Sequence, residues 1–132
     1  MSDNGRMGLL DFLGKRSDDG LSIDETLLAL SRGAVLIDVR SQHEYEAGHA
    51  PGARPVEPAA LHDNPVDAIH GDDPLADRDA AVVVMCDTGL RSSFIAAMLR
   101  DKGLLAESVG GGLRAWAKDG NPVLPGPYRG RR

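Results

Sequence analysis

The chain has 132 residues, 42% hydrophobic and 27% charged, with 15 lysines and arginines against 20 acidic residues for a net charge of −5. That describes one globular domain able to bury roughly two-thirds of its unfolded surface, so no metal or disulfide is required to hold it together. The acidic balance argues against nucleic-acid binding, no apolar run approaches the ~20 residues of a membrane span, and one cysteine with four scattered histidines offers neither an internal disulfide nor zinc-ligand spacing.

Residues 1–20 mix glycine, aspartate and serine around a small apolar patch, Met7, Leu9, Leu10, Phe12 and Leu13, and are expected as a mobile tail. The stretch MGLLDFLGKR is too short and too acidic for a secretory signal, and with the lone cysteine it points to a reducing, cytoplasmic setting. SIDETLLALSRG predicts a helix: Ser22 and Glu25 fit a capping box, Ile23, Leu27 and Leu30 share a face, and Gly33 ends it. AVLIDVR is a short continuous apolar run, the pattern of a strand covered on both faces. SQHEYEAGH reads as a short helix and APGARPVEP as turn and loop with a brief strand. Residues 61–79, rich in aspartate, read as a solvated loop with at most one short helix.

AAVVVM is the clearest strand and SSFIAAMLRDKG the clearest helix, with Phe94, Ala97 and Met98, and also Ile95 and Leu99, at helical spacing. AESVG predicts another strand, and GGLRAWAKDG a short helix stopped by Gly120. The basic tail, 125–132, is expected to be disordered, leaving 21–124 as the domain. Strands alternating with helices predict an α/β fold with a largely parallel sheet, in which ligands bind beyond the carboxyl ends of the strands. Cys86, the single cysteine, falls at such an end.

The stretch CDTGLR, residues 86–91, has the ingredients of an anion cradle. A thiolate forms where negative charge is stabilised, and three sources lie within six residues. Backbone N–H groups from Asp87 to Arg91 can curl around the sulfur, Gly89 can take a positive φ, and the helix opening near Arg91 or Ser92 turns its N-terminus to the same point. Arg91 adds a planar cation suited to oxyanions. The competing reading is a buried, inert cysteine at a strand end.

LIDVRSQHEYEAGHAPGA, VVVMCDTGLRSSFIAAML and VGGGLRAWAKDGNPV, in that order, resemble the single-domain rhodaneses, thiosulfate sulfurtransferase-like proteins, over about residues 20–124. The resemblance implies a five-stranded, mostly parallel sheet flanked by helices. It implies that Cys86 takes the outer sulfur of thiosulfate, or of a persulfide donor, expels the remainder and holds the sulfur as a persulfide until a thiol or protein acceptor removes it. Arg91 would close the loop and help bind the anionic donor. The substrate-binding set would be Asp87, Thr88, Gly89, Leu90, Arg91 and Ser92, with the amides of Asp87 to Arg91 on the terminal sulfur. Asp38 would hydrogen-bond and orient the loop, or cap the turn that follows it. Arg40 would pair with an acidic group such as Glu44 or buttress the loop. The resemblance implies no metal and no cofactor beyond the covalent persulfide.

Four residues separate Cys86 from Arg91. Cysteine phosphatases, including dual-specificity ones of this fold, have five, so the shorter loop suits sulfur and crowds phosphate. Without a second cysteine the persulfide cannot resolve into an internal disulfide, and the sulfur must leave to another molecule in a ping-pong sequence. Asp87 departs from the basic or neutral residue usual after the cysteine and opposes an incoming dianion. His49 is read as a hydrogen-bonded structural residue and Trp116 as a core residue. The alternative function is a non-catalytic rhodanese-fold binding module.

Overall fold

The computed structural model describes residues 20–130; the apolar patch of residues 7–13 and the final two arginines lie outside that range. Six helices and four strands follow in the order α1 (Ile23–Ser31), β1 (Val35–Asp38), α2 (Gln42–Ala47), β2 (Arg54–Pro55), α3 (Pro58–Asp63), α4 (Pro65–His70), β3 (Val82–Met85), α5 (Leu90–Asp101), β4 (Ala106–Ser108) and α6 (Gly112–Lys118). The strands form one parallel sheet in the order β2-β1-β3-β4.

All four residues of β3 are buried because both faces of the sheet are covered. Alternation along β3 sends Val83 and Met85 to one side, with Leu36, Tyr45 and Trp116. Val82, Val84 and Cys86 go to the other, with Leu61, Ile69 and Leu99. Every buried side-chain nitrogen and oxygen among the described residues has a hydrogen-bond partner.

The sheet has four strands where five were expected. At the edge beyond β4 the chain contributes one parallel bridge, Leu21 to Val109. The physical reason is the next residue: Ser22 and Glu25 complete a capping box that starts α1 at Ile23. No length is left for a strand.

Other boundaries also shift. The acidic stretch carries more order than its charge suggested: Pro58 and Pro65 open two helices, Asn64 ends the first and caps the second, and Leu61 and Ile69 are buried. On α1 the buried positions are Thr26 and Ala29, while Leu27 is exposed. On α5 Ser92, Ala96 and Leu99 are buried and Phe94 is exposed. The segment 125–130, expected as free tail, lies against the domain: Gly126 N–H donates to Glu46 O, and Tyr128 Oη accepts from Arg54 Nε at 3.0 Å. An aromatic side chain packed on the core outweighs the polar composition around it.

Candidate active site

Residues 86–89 connect the end of β3 to the start of α5. The turn closes tightly because Gly89 takes φ 100°. A Cβ at Gly89 would also come within 3.0 Å of Gly111 N and 3.2 Å of Val109 O, so the position admits no side chain without movement. A second glycine brings another element onto the loop. At Gly112 a Cβ would fall 2.6 Å from Cys86 O and 2.5 Å from Asp87 O. With that space empty, the first turn of α6 docks on the end of β3: Leu113 N–H donates to Cys86 O at 2.8 Å and Arg114 N–H to Asp87 O at 3.1 Å.

Cys86 Sγ sits inside this turn. It accepts from Gly89 N–H at 3.1 Å and from Ser92 N–H at 3.4 Å. Ser92 is fully buried, and its Oγ lies 3.2 Å from Gly89 O and 2.9 Å from Ser108 Oγ. Cys86 itself is only 1% exposed. Burial pushes its thiol up, but donation from the Ser92 hydroxyl and from the Ser92, Gly89 and Thr88 amides outweighs burial and holds it below the ordinary thiol value. The site thus has the burial of an inert cysteine and the polar lining of a reactive one. The lining decides the sign.

The amides recorded on the sulfur are those of Gly89, Ser92 and Thr88. The side chains of Asp87 and Leu90 face outward: the Asp87 carboxylate pairs with Arg114, Nε to Oδ2 at 3.1 Å, and Leu90 is 68% exposed at the mouth. The Arg91 guanidinium is half exposed and pairs with Glu44 at 3.5 Å. Arg40 does pair with an acidic group, Asp38 rather than Glu44. Asp38 and Arg40 form a buried fork with each other: Arg40 Nη2 lies 2.9 Å from Asp38 Oδ2, and Arg40 Nη2 also donates to Gly48 O. Asp38 is opposite Met85 in register and on the Leu36 face, whereas Cys86 belongs to the other face. Strand alternation therefore turns the Asp38 carboxylate away from the sulfur, and Glu44 is engaged by Arg91 instead. Asp38 Oδ1 also accepts from Arg40 N–H at 3.0 Å, which is the turn-capping alternative.

His49 stacks on Tyr45 with ring centroids 3.9 Å apart, and its Nδ1 meets Tyr45 O. Trp116 is buried, its Nε1–H donating to Pro122 O. Sequence reading missed Arg114 and Ser108, since each reaches the site only because α6 and β4 dock there. A cleft of about 350 Å³ bounded by Arg54, Asp67, Asp72 and Tyr128 lies apart from Cys86. Among the described residues no cluster of ligating side chains could hold a metal.

The fold and this turn define a class: an α/β protein presenting an anion-stabilised cysteine at the carboxyl edge of a parallel sheet. The particular family follows from comparison, since the model of the rhodanese-like domain matches residues 22–119 and the chain belongs to that family. It is 38% identical over 86 residues to the thiosulfate sulfurtransferase GlpE of Pseudomonas fluorescens, covering 64% of this chain and 72% of that protein. It is 33% identical over 78 residues to the tRNA sulfurtransferase of Thermoplasma acidophilum, covering 59% of this chain but 14% of that protein. A rhodanese-related protein from Thermoplasma volcanium shares the fold, with TM-score 0.65 and 23% identity over 83% of this chain and 97% of that one. Family and relatives together support a sulfurtransferase function.

Proposed function

We propose that this protein transfers sulfane sulfur from thiosulfate or a persulfide to a thiol acceptor through a persulfide on Cys86. The observation that carries the reading is the hydrogen-bonded sulfur at the end of β3, with its pKa below that of an ordinary thiol. In the first half-reaction the Cys86 thiolate attacks the outer sulfur of thiosulfate. A new S–S bond forms, the donor's S–S bond breaks, and the electron pair leaves on sulfite. In the second, an acceptor thiolate attacks the terminal sulfur and the electron pair returns to Cys86. No proton need be abstracted once the thiolate exists, consistent with a structural His49. The amides of the turn hold the anion, and Arg91 at the rim assists an anionic donor.

The same reading places the reaction in the cytoplasm, with no cofactor beyond the persulfide and no nucleic acid or membrane as partner. Among the described residues no helix is long and apolar enough to cross a membrane. The 1% exposure of Cys86 favours, as a second reading, a binding module that keeps the fold without turnover. Mass spectrometry separates the two. Incubation with thiosulfate should add one sulfur atom to Cys86, absent in Cys86→Ser and removed by cyanide. No adduct from thiosulfate or from a small-molecule persulfide would overturn the enzyme reading.

A further inference from the structure

Ser108 is the last residue of β4 and pairs in register with Val84, two positions before Cys86. Strand alternation puts it on the face that Val84, Cys86 and Ala106 share, beneath the first turn of α5. It is 2% exposed, and its Oγ lies 2.9 Å from the fully buried Ser92 Oγ.

A hydroxyl has one hydrogen to give and two lone pairs to receive. The other acceptor recorded for Ser108 is Val109 O at 3.4 Å, near the limit of a hydrogen bond. Ser92 has a better alternative, Gly89 O at 3.2 Å, while its backbone N–H lies 3.4 Å from the sulfur, which keeps the hydroxyl beside a thiol that it helps to hold low. The arrangement that uses most donors has Ser108 donating to Ser92, which leaves the Ser92 hydrogen free to choose between the Gly89 carbonyl and Cys86.

We propose that Ser108 is a positioning residue: its O–H donates to Ser92 Oγ, so that the Ser92 O–H turns to the Cys86 sulfur whenever that sulfur carries negative charge. This rests on reading Cys86 as the nucleophile. The two serines act as a rotor that follows the charge. When Cys86 is protonated or persulfidated, the Ser92 hydrogen returns to Gly89 O. When Cys86 is a thiolate, as attacking group in one half-reaction and leaving group in the other, the pair donates to it. The charged groups around the turn are the pairs Asp38–Arg40, Asp87–Arg114 and Glu44–Arg91, and serine substitutions leave them unchanged.

Cys86 is the only cysteine, so iodoacetamide reactivity against pH, measured on the full chain, titrates this one sulfur. A hydrogen bond to a charged group is worth enough that Ser92→Ala should raise the midpoint by about 1–2 units. Ser108 acts by polarising that bond, so Ser108→Ala should raise the midpoint by about 0.1–0.7 of a unit. Ser108→Thr, which keeps the hydroxyl, should stay near wild type, and Ser92→Ala/Ser108→Ala should match Ser92→Ala alone. A Ser108→Ala shift of equal size with and without Ser92 would overturn the proposal. So would an unshifted midpoint with only the melting temperature lowered. Should Ser92→Ala fail to fold, the contrast between Ser108→Ala and Ser108→Thr decides. This readout needs no turnover: an unshifted midpoint in a protein that still accepts sulfur defeats the relay alone, and a relay-dependent midpoint in a protein that accepts none defeats sulfur transfer alone.

Discussion

Replacing Asp87 with alanine removes the acidic half of the ion pair at the mouth of the turn and leaves Arg114 without its partner. In the wild-type protein the two charges lie 3.1 Å apart at closest approach and largely cancel for a donor arriving over Cys86. Taking the carboxylate to be about 7 Å from a bound dianion, its removal is worth about 1.2 kcal/mol at the dielectric constant of water. Physiological salt, with a screening length near 8 Å, reduces that to about 0.5 kcal/mol. Both side chains are partly solvated, so these values bracket the effect. The kcat/KM for thiosulfate in a cyanide-coupled assay should therefore rise about two- to eightfold in Asp87→Ala. Arg114→Ala, which exposes the carboxylate, should lower it by a similar factor, and the double variant should return near wild type. The gains should shrink as salt is added. If Arg114→Ala leaves turnover unchanged while Asp87→Ala raises it, Arg114 is not offsetting Asp87. If neither moves it, electrostatics at the mouth do not govern donor capture.

Arg40→Ala strands the fully buried Asp38 carboxylate and should cost about 3–5 kcal/mol of folding stability, read from the urea midpoint. A loss under about 1 kcal/mol would mean that the fork does not hold the end of β1. Gly112→Ala forces a Cβ into Cys86 O and Asp87 O at positive φ, a conformation that itself costs about 1–2 kcal/mol. It should lower the melting temperature and, by pushing α6 off the turn, raise the Cys86 midpoint; a normal midpoint would show that α6 does not shape the cradle. His70 is held below the ordinary histidine value by burial first, then by the Arg54 and Arg78 charges. The unfolded chain takes its proton near pH 6.5 while the native state stays neutral, so stability is present above that pH and is lost as pH falls below it. His70→Phe should lose less stability than wild type between pH 7 and about 5.5. Equal losses would assign the pH dependence to other groups.

Local patterning made most of the architecture readable. Continuous apolar runs marked β1 and β3, the Ser22–Glu25 spacing marked the start of α1, and the position of Cys86 before a glycine and a helix marked the turn that hydrogen-bonds its sulfur. These features depend on neighbours within about six residues, where backbone geometry sets what is adjacent. The same reading failed where burial decides. Leu27 and Phe94 match a helical period but face solvent, because the sheet accepts Ala29 and Ala96 at closer range. The aspartate-rich stretch folds into two helices because Leu61 and Ile69 find the core beneath them.

By itself, then, the sequence determined a parallel α/β domain and placed its one thiol group on the turn after β3. Tertiary structure alone decided what surrounds that group. Asp38 is turned to the opposite face by strand alternation, Arg91 is drawn to Glu44, and Arg114 and Ser108 reach the turn from elements more than twenty and fifteen residues away. The physical reason is range: a hydrogen-bonded turn forms from adjacent peptides, whereas the side chains that tune a buried sulfur arrive from whichever elements dock against it.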